Sequence, residues 1–420
     1  MTGTVHIEQL WFRDFRGLRD VRLTLPEGRV AVFVGANGAG KSTVLEGAAI
    51  LLSRLAARIR SPQSGGRQIT DDDIHNEASD AEVGIRFRLG HDEATWTVVK
   101  TRRGRAVRER SELDRLNALA EPLRERLRAE PETTSIPVFA FYPVTRAVLD
   151  IPLRTKRKQD FDQLSALDNA LTGAQGAFRV FFEWFRIRED YENERRVEDP
   201  AYRDPQLEAV RRAVERLMPG FRNLRVRRQR LRMVVTKGHR EITVNQLSDG
   251  EKCLLALVGD LARRLALANP AATDPLGGAG VVLIDEIELH LHPKWQHQVV
   301  GRLAETFPGC QFLITTHSPA VLSHVENGAA FLLRSEQEEI KVYTLDPYGR
   351  DANALLEDVF GASARTPDVE ENLQRLFTLI DEEKYDEARA LLQSLKERVD
   401  PSDPAFTRAH VMLWMPSGSS

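Results

Sequence analysis

The sequence predicts an α/β fold: a mixed sheet flanked by helices, with a helical insertion and a C-terminal helical segment. Three stretches predict it. "VAVFVG" at 30 to 35 is an unbroken apolar run that leads into the glycine-rich "GANGAGKS". "VVLI" at 281 to 284 is apolar and ends on Asp285 and Glu286. "QFLITTH" at 311 to 317 is apolar and ends on His317. Strands buried on both faces of a mostly parallel sheet read as such runs. Ligands bind outside their C-terminal ends, where these polar residues fall.

The remaining elements follow in order. "VHIEQLWFRDF" and "DVRLTL" alternate apolar and polar, as two edge strands feeding the buried strand, with Gly28 in the turn before it. Helical spacing runs from Val44 to Ile59, and "RSPQSGGRQ" is a loop. "AEVGIRFRLG" and "ATWTVVKTRRG" form an antiparallel hairpin around His91 and Asp92, and "IPVFAFYP" is another core strand. From 145 to 220 the pattern is helical and polar, with the aromatic cluster at 178 to 185 read as packing. "PQLEAVRRAVERLMPGF" is a helix stopped near Gly220. Residues 224 to 244 read as a basic hairpin turning at Lys237 and Gly238. A helix spans 250 to about 268, a Pro/Gly-rich loop precedes the acidic strand, and a helix follows Pro293. The tail from Asp368 is helical. Its "YDEARALLQSL" resembles one tetratricopeptide-like hairpin, but a single copy predicts a packed hairpin or docking surface, not a solenoid. The organisation is therefore a first lobe over 1–144, a helical insertion over 145–220, a second lobe over 221–350 and a helical docking segment over 351–420.

The 420 residues are 42% hydrophobic, enough for a large core, and the net charge of −3 excludes a surface coated in basic residues for nucleic acid. Cys253 and Cys310 lie far apart with no metal-ligand spacing, which suits a reduced cytosolic setting. No apolar run approaches the roughly 18 residues of a membrane helix, and the N-terminus has no signal-peptide core. The expectation is a cytoplasmic protein without a membrane partner.

"GANGAGKS" fits G-x-x-x-x-G-K-[ST] through Gly35, Gly40, Lys41 and Ser42, with Asn37 and Gly38 inside the loop and Thr43 following. Glycines open backbone N–H groups to a phosphate chain, Lys41 reaches the β- and γ-phosphates, and the Ser42 hydroxyl ligates Mg²⁺. The helix behind aims its positive end at the same anion. Asp285 is placed to hold Mg²⁺ through water, and Glu286 to orient and deprotonate an attacking water. His317, at another strand end, is placed to contact the γ-phosphate. "NQLSDGEKCLLAL" opens an apolar helix with Ser248, Asp249, Gly250 and Glu251, a second helix N-terminus suited to an anion.

These segments, in this order, resemble the ABC-type ATPases, including their soluble SMC and RecF-like branch, over roughly 1 to 60 and 220 to 335. The resemblance implies a P-loop NTPase head that binds ATP and Mg²⁺, with Glu286 as catalytic base and His317 as switch residue. "LSDGE" matches the family signature L-S-G-G-Q, which caps the nucleotide held by a second subunit. The resemblance thus implies a homodimer or higher homo-oligomer with Ser248 to Glu251 acting in trans. Asp249 departs from the usual Gly and Glu251 from the frequent Gln; a carboxylate facing a phosphate must point away, pair with a cation or slow hydrolysis. In "IELHLHPKWQ", Glu288 and His290 are implied for a loop between the two active sites, and His290-x-His292 lacks a third metal ligand. The family's glutamine-loop residue is Gln68 or Asn76. "FRDFRG" resembles the N-F-[RK] run of SMC and RecF-like heads, which makes Arg13 and Arg16 candidates to approach the phosphates.

Arg-rich stretches at 101 to 110, 154 to 158 and 222 to 232 are solvated faces or a non-specific nucleic-acid surface. The insert is too short for a long coiled coil, and no nuclease cluster follows "THSP". "LSDGE", "LIDEIELHLHPKWQ", "TTHSPAVL" and "YGRDANALLEDVFG" look like the PtuA-like ATPases of Septu and retron-associated anti-phage systems, which work beside a separate HNH-type nuclease. A RecF-like DNA-repair clamp and a nearly inactive ATP-binding scaffold are the alternatives.

Overall fold

The computed structural model describes residues 4–107, 109–144, 161–173, 177–229, 231–326, 328–337, 339–361 and 365–414. The chain forms two compact units, Met1–Arg350 and Asp351–Ser420.

The first unit is built on a six-stranded sheet, in the order Glu339–Leu345, Ala330–Glu336, Val30–Gly35, Cys310–Thr315, Gly280–Ile284 and Val138–Tyr142. The last five are parallel, and only the first edge strand is antiparallel. Cys310–Thr315, Gly280–Ile284 and Val138–Tyr142 are buried at every residue, as unbroken apolar runs with helices on both faces require. The expected α/β class, a mixed sheet flanked by helices, is the observed one.

One expectation is corrected. Val5–Phe15 and Leu18–Thr24 do not edge this sheet. They belong to a separate antiparallel sheet, in the order Leu18–Thr24, Val5–Phe15, Asp80–Leu89, Asp92–Thr101, with Val5–Phe15 in its interior. Alternation fixes which face is buried (here Ile7, Leu10, Phe12 and Phe15) but not what pairs alongside. The Gln311 side chain pins the two sheets together like an extra peptide group: its Oε1 accepts from Ile7 N at 2.7 Å and its Nε2 donates to Ile7 O at 3.1 Å.

The helix Lys41–Arg60 follows the glycine loop, and the helix Asp249–Ala268 is buried along most of its length against Pro205–Leu217. Within the insertion, Ala177–Glu198 buries Phe178, Phe181, Phe182, Trp184 and Phe185, so the aromatic cluster packs. The basic segment is a three-stranded sheet, Phe221–Arg227, Arg232–Lys237 and Arg240–Thr243, one strand more than a hairpin. The helix Asp114–Ala129, with Pro122 inside it, and the pair Ala330–Glu336 and Glu339–Leu345 lie outside the sequence reading.

The second unit holds the helices Ala352–Phe360, Pro367–Asp381, Tyr385–Lys396 and Pro404–Trp414. The last three close on a core that includes Leu376, Ala388, Leu392, Phe406 and Ala409. Among the described residues, no helix is long and apolar enough to cross a membrane.

Candidate active site

The strand Val30–Gly35 hands the chain to the loop through Gly35 at φ 145°, and Gly40 at φ 91° starts the helix. Both conformations favour glycine, and a Cβ on Gly35 would lie 2.2 Å from the Leu333 carbonyl oxygen. Lys41 is buried and folds back over the loop, its Nζ donating to Gly35 O at 3.0 Å and Ala36 O at 2.9 Å. Burial pushes its pKa below the ordinary lysine value, and Asp285, Glu286 and Glu288 oppose the shift.

Asp285, just past Gly280–Ile284, is buried and takes its backbone hydrogen bond from the neighbouring strand, Asp285 N to Tyr142 O at 2.9 Å. Its Oδ1 accepts from Ser42 Oγ at 3.0 Å and from Thr315 Oγ1 at 2.5 Å. A hydroxyl hydrogen-bonded to a buried carboxylate fits the hard-oxygen donor set of Mg²⁺, which would take Ser42 directly and Asp285 through water. Thr315 also accepts from Glu286 N at 2.8 Å, and Glu286 itself is held at φ 46°. A left-handed φ is uncommon for a non-glycine residue and clusters at functional sites.

Glu288 turns back into its own chain. Its Oε2 accepts from Thr316 Oγ1 at 2.7 Å and its Oε1 from His317 N at 2.5 Å. Burial lowers the pKa of His317 and the Lys41 charge lowers it further, against the pull of Glu288, Glu286 and Asp285. The shift favours the neutral imidazole. Lys41, Ser42, Asp285, Glu286 and His317 thus gather at the C-terminal edge of three adjacent parallel strands. Thr315 is the residue that sequence reasoning passed over; its signal was a hydroxyl residue ending a buried strand beside the acidic one.

Ser248 caps the helix Asp249–Ala268 in a reciprocal box: Glu251 N donates to Ser248 Oγ at 3.4 Å, and Ser248 N to Glu251 Oε2 at 3.0 Å. Asp249 is exposed and pairs with Lys252 at 3.2 Å. Gly250 lies flat against the loop after the acidic strand, where a Cβ would stand 2.0 Å from the His290 carbonyl oxygen; His290 itself has φ 63°. Among the described residues, no hydrogen bond or ion pair of Ser248, Asp249 or Glu251 reaches the glycine loop.

Arg13 sits among Glu82 at 3.1 Å, Asp80 at 3.7 Å and Glu109. Arg16, at φ 53°, pairs with Asp73 at 2.8 Å. Its turn lies against the loop: Leu18 Cδ2 and Ile340 Cδ1 each stand 3.0 Å from where a Cβ on Gly40 would be. Gln68 and Asn76 are both exposed. His292 caps a short helix, its Nδ1 accepting from Lys294 N at 3.2 Å. The stretch 154–158 lies outside the described residues. In 222–232, Arg227 pairs with Glu241 at 2.9 Å, Arg225 also with Glu241, and Arg228 with Glu189 and Asp190.

A family model described as "AAA domain, putative AbiEii toxin, Type IV TA system" matches residues 30–323. The "Retron Ec83 probable ATPase" of Escherichia coli is 28% identical over 466 residues, covering 96% of this chain and 85% of that protein. The "Septu protein PtuA" of Bacillus mycoides (strain KBAB4) is 34% identical over 141 residues, 33% of this chain and 19% of that protein. The SMC head domain from Thermotoga maritima superposes with a TM-score of 0.45 at 17% identity, covering 81% of this chain and 99% of that one.

Proposed function

The chain belongs to the AAA-domain family whose model spans residues 30–323, and from that premise we propose an ATPase of bacterial anti-phage defence, closed by ATP into a dimer that controls a separately encoded HNH-type nuclease. The observation that carries this reading is the convergence of Lys41, Asp285, Glu286 and His317 on one sheet edge, with hydrogen bonds tying Asp285 to Ser42 and to Thr315.

Lys41 and the loop N–H groups hold the triphosphate, and Ser42 directly and Asp285 through water would hold Mg²⁺, which would neutralise charge on the phosphates when bound. Glu286 orients the attacking water and takes its proton, in the backbone pose set by Thr315. Neutral His317 contacts the γ-phosphate, with its own backbone N–H fixed by Glu288. The signature helix completes the site of the second copy, since its polar tip has no partner in its own glycine loop among the described residues. Relatives named for retron and Septu systems support the defence setting. Turnover is slow, because Asp249 and Glu251, though each paired with a lysine, stand where the family signature has Gly and Gln, and the site of action is the cytoplasm.

Light scattering of the purified chain tests the reading. ATP and Mg²⁺ double the mass of Glu286→Gln, and hydrolysis falls about 10²- to 10⁴-fold, the contribution of a general base. A wild type with no more turnover than Glu286→Gln overturns the enzyme; a mass unmoved by ATP overturns the dimer.

A further inference from the structure

Glu251 is the third residue of the signature helix, in the turn that would meet the partner copy's triphosphate. One of its oxygens caps Ser248 N at 3.0 Å, and the other accepts from Lys237 Nζ at 2.5 Å. Lys237 comes from a different element, the end of the strand Arg232–Lys237, and its ammonium stands 5.5 Å from the centre of the Phe221 ring. Phe221 in turn packs edge-on against Trp295, at 6.3 Å, just beyond the His290 loop.

We propose that Lys237 is a positioning residue of the ATP-bound dimer: it cancels the charge of Glu251 and holds its carboxylate on the Ser248 cap, so that the helix tip accepts the partner copy's triphosphate. The inference rests on the two-copy reading above.

The chemistry forces a compensator at this position. A helix N-terminus attracts anions through its free N–H groups and dipole. Two carboxylates in the same turn, Asp249 and Glu251, would repel a triphosphate. Each has a lysine: Asp249 has Lys252 at 3.2 Å, and Glu251 has Lys237. With both charges matched, the Ser248 hydroxyl and the N–H groups of Asp249 and Gly250, which the capping box does not use, are left for the anion. Partial burial pushes the Glu251 carboxyl up, but the hydrogen bonds from Lys237 and Ser248 outweigh it and hold the group ionised, below the ordinary carboxylate range. The pair does little for folding, since the Lys237 side chain is 48% exposed and exposed ion pairs contribute little to stability. Its consequence is electrical, felt by whatever docks on the helix tip.

The test uses the full chain, with ATP-driven dimerisation by light scattering and steady-state hydrolysis as readouts. Lys237→Met raises the ATP concentration for half-maximal dimerisation and hydrolysis about tenfold, the scale of one unscreened charge a few ångströms from an anion, while kcat stays near the wild-type value. Lys237→Arg keeps wild-type behaviour. Adding Glu251→Gln to Lys237→Met restores it, because the amide keeps the cap and removes the charge; a lysine that merely packs on Phe221 would not be rescued this way. Failure of that rescue overturns the inference. So does wild-type behaviour of Lys237→Met alongside a Ser248→Arg variant that has lost ATP-driven dimerisation, and the two-copy reading then stands. If Ser248→Arg also behaves as wild type, the two-copy reading falls and takes the inference with it.

Discussion

Ser42 and Asp285, 243 residues apart in sequence, meet at 3.0 Å on either side of the strand Cys310–Thr315. The hydrogen bond sets a hydroxyl from the glycine-loop helix beside a buried carboxylate, the oxygen donors that would hold Mg²⁺ directly and through water. Ser42→Ala removes one of the two oxygens. Hydrolysis falls about tenfold to a hundredfold, the cost of one lost polar partner in a buried site, and the Mg²⁺ concentration for half-maximal rate rises. A Mg²⁺ titration of both proteins reads the difference, and an unchanged titration removes Ser42 from the metal site.

Thr315 connects Asp285 to Glu286 through one hydroxyl, donating to the first at 2.5 Å and accepting from the backbone of the second at 2.8 Å. Thr315→Val keeps the shape and deletes both bonds. We expect kcat to fall by about thirtyfold, each of the two bonds being worth about 1 kcal/mol, with nucleotide affinity by fluorescent-analogue titration little changed. A loss of affinity equal to the loss of rate would place Thr315 in binding rather than in positioning.

His317 gives the site an acid limit. Its folded pKa is below the free value of 6.5, through burial and Lys41 against Glu288, Glu286 and Asp285. As pH falls the unfolded chain takes up the proton first, so the stability term is fully present above 6.5 and is lost down to the folded value. His6 is shifted the same way, by burial and Arg88, and adds to the slope. His317→Gln therefore shows a shallower fall of Tm between pH 7.5 and 5.5 than the wild type, with the His6 share remaining. Parallel Tm curves would mean that His317 titrates normally.

The signature helix is anchored by a buried charge cluster. Asp260 accepts from Arg263 and Arg264 at 2.7 Å each and from Tyr142 OH at 3.0 Å, and Arg264 also donates to Ala166 O at 2.8 Å and Asp168 O at 3.0 Å. Burial pushes the Asp260 carboxyl up, but the two arginines outweigh it and hold it ionised. Asp260→Asn leaves two buried guanidiniums without their charge partner and costs about 3–5 kcal/mol, while Tyr142→Phe costs about 1 kcal/mol. Urea unfolding followed by tryptophan fluorescence measures both, and equal losses would contradict the charge argument.

What the sequence disclosed followed from local pattern. The runs ending at Gly35, Asp285 and His317 announced both a buried sheet and the residues at its edge, because burial on two faces and a C-terminal polar residue are visible within six or seven letters. Val5–Phe15 carried the right alternation and the wrong neighbours, since period two describes a strand's faces and not its ladder. Glu339–Leu345 escaped because it is largely exposed and has little apolar signal. Pro122 hid the helix Asp114–Ala129 by interrupting an amphipathic stretch. The pairings of Lys237 with Glu251 and of Glu288 with Thr316 exist only through space, and nothing in the spacing of their letters foretells them.

The absence of a side chain at position 250 has a mechanical meaning. With the His290 carbonyl pressed against that bare Cα, the tip of the Asp249–Ala268 helix and the turn that follows Glu286 have no gap in which to slide past one another. Any side chain there would force the two apart, so Gly250→Ala displaces Ser248 relative to the turn that carries His290.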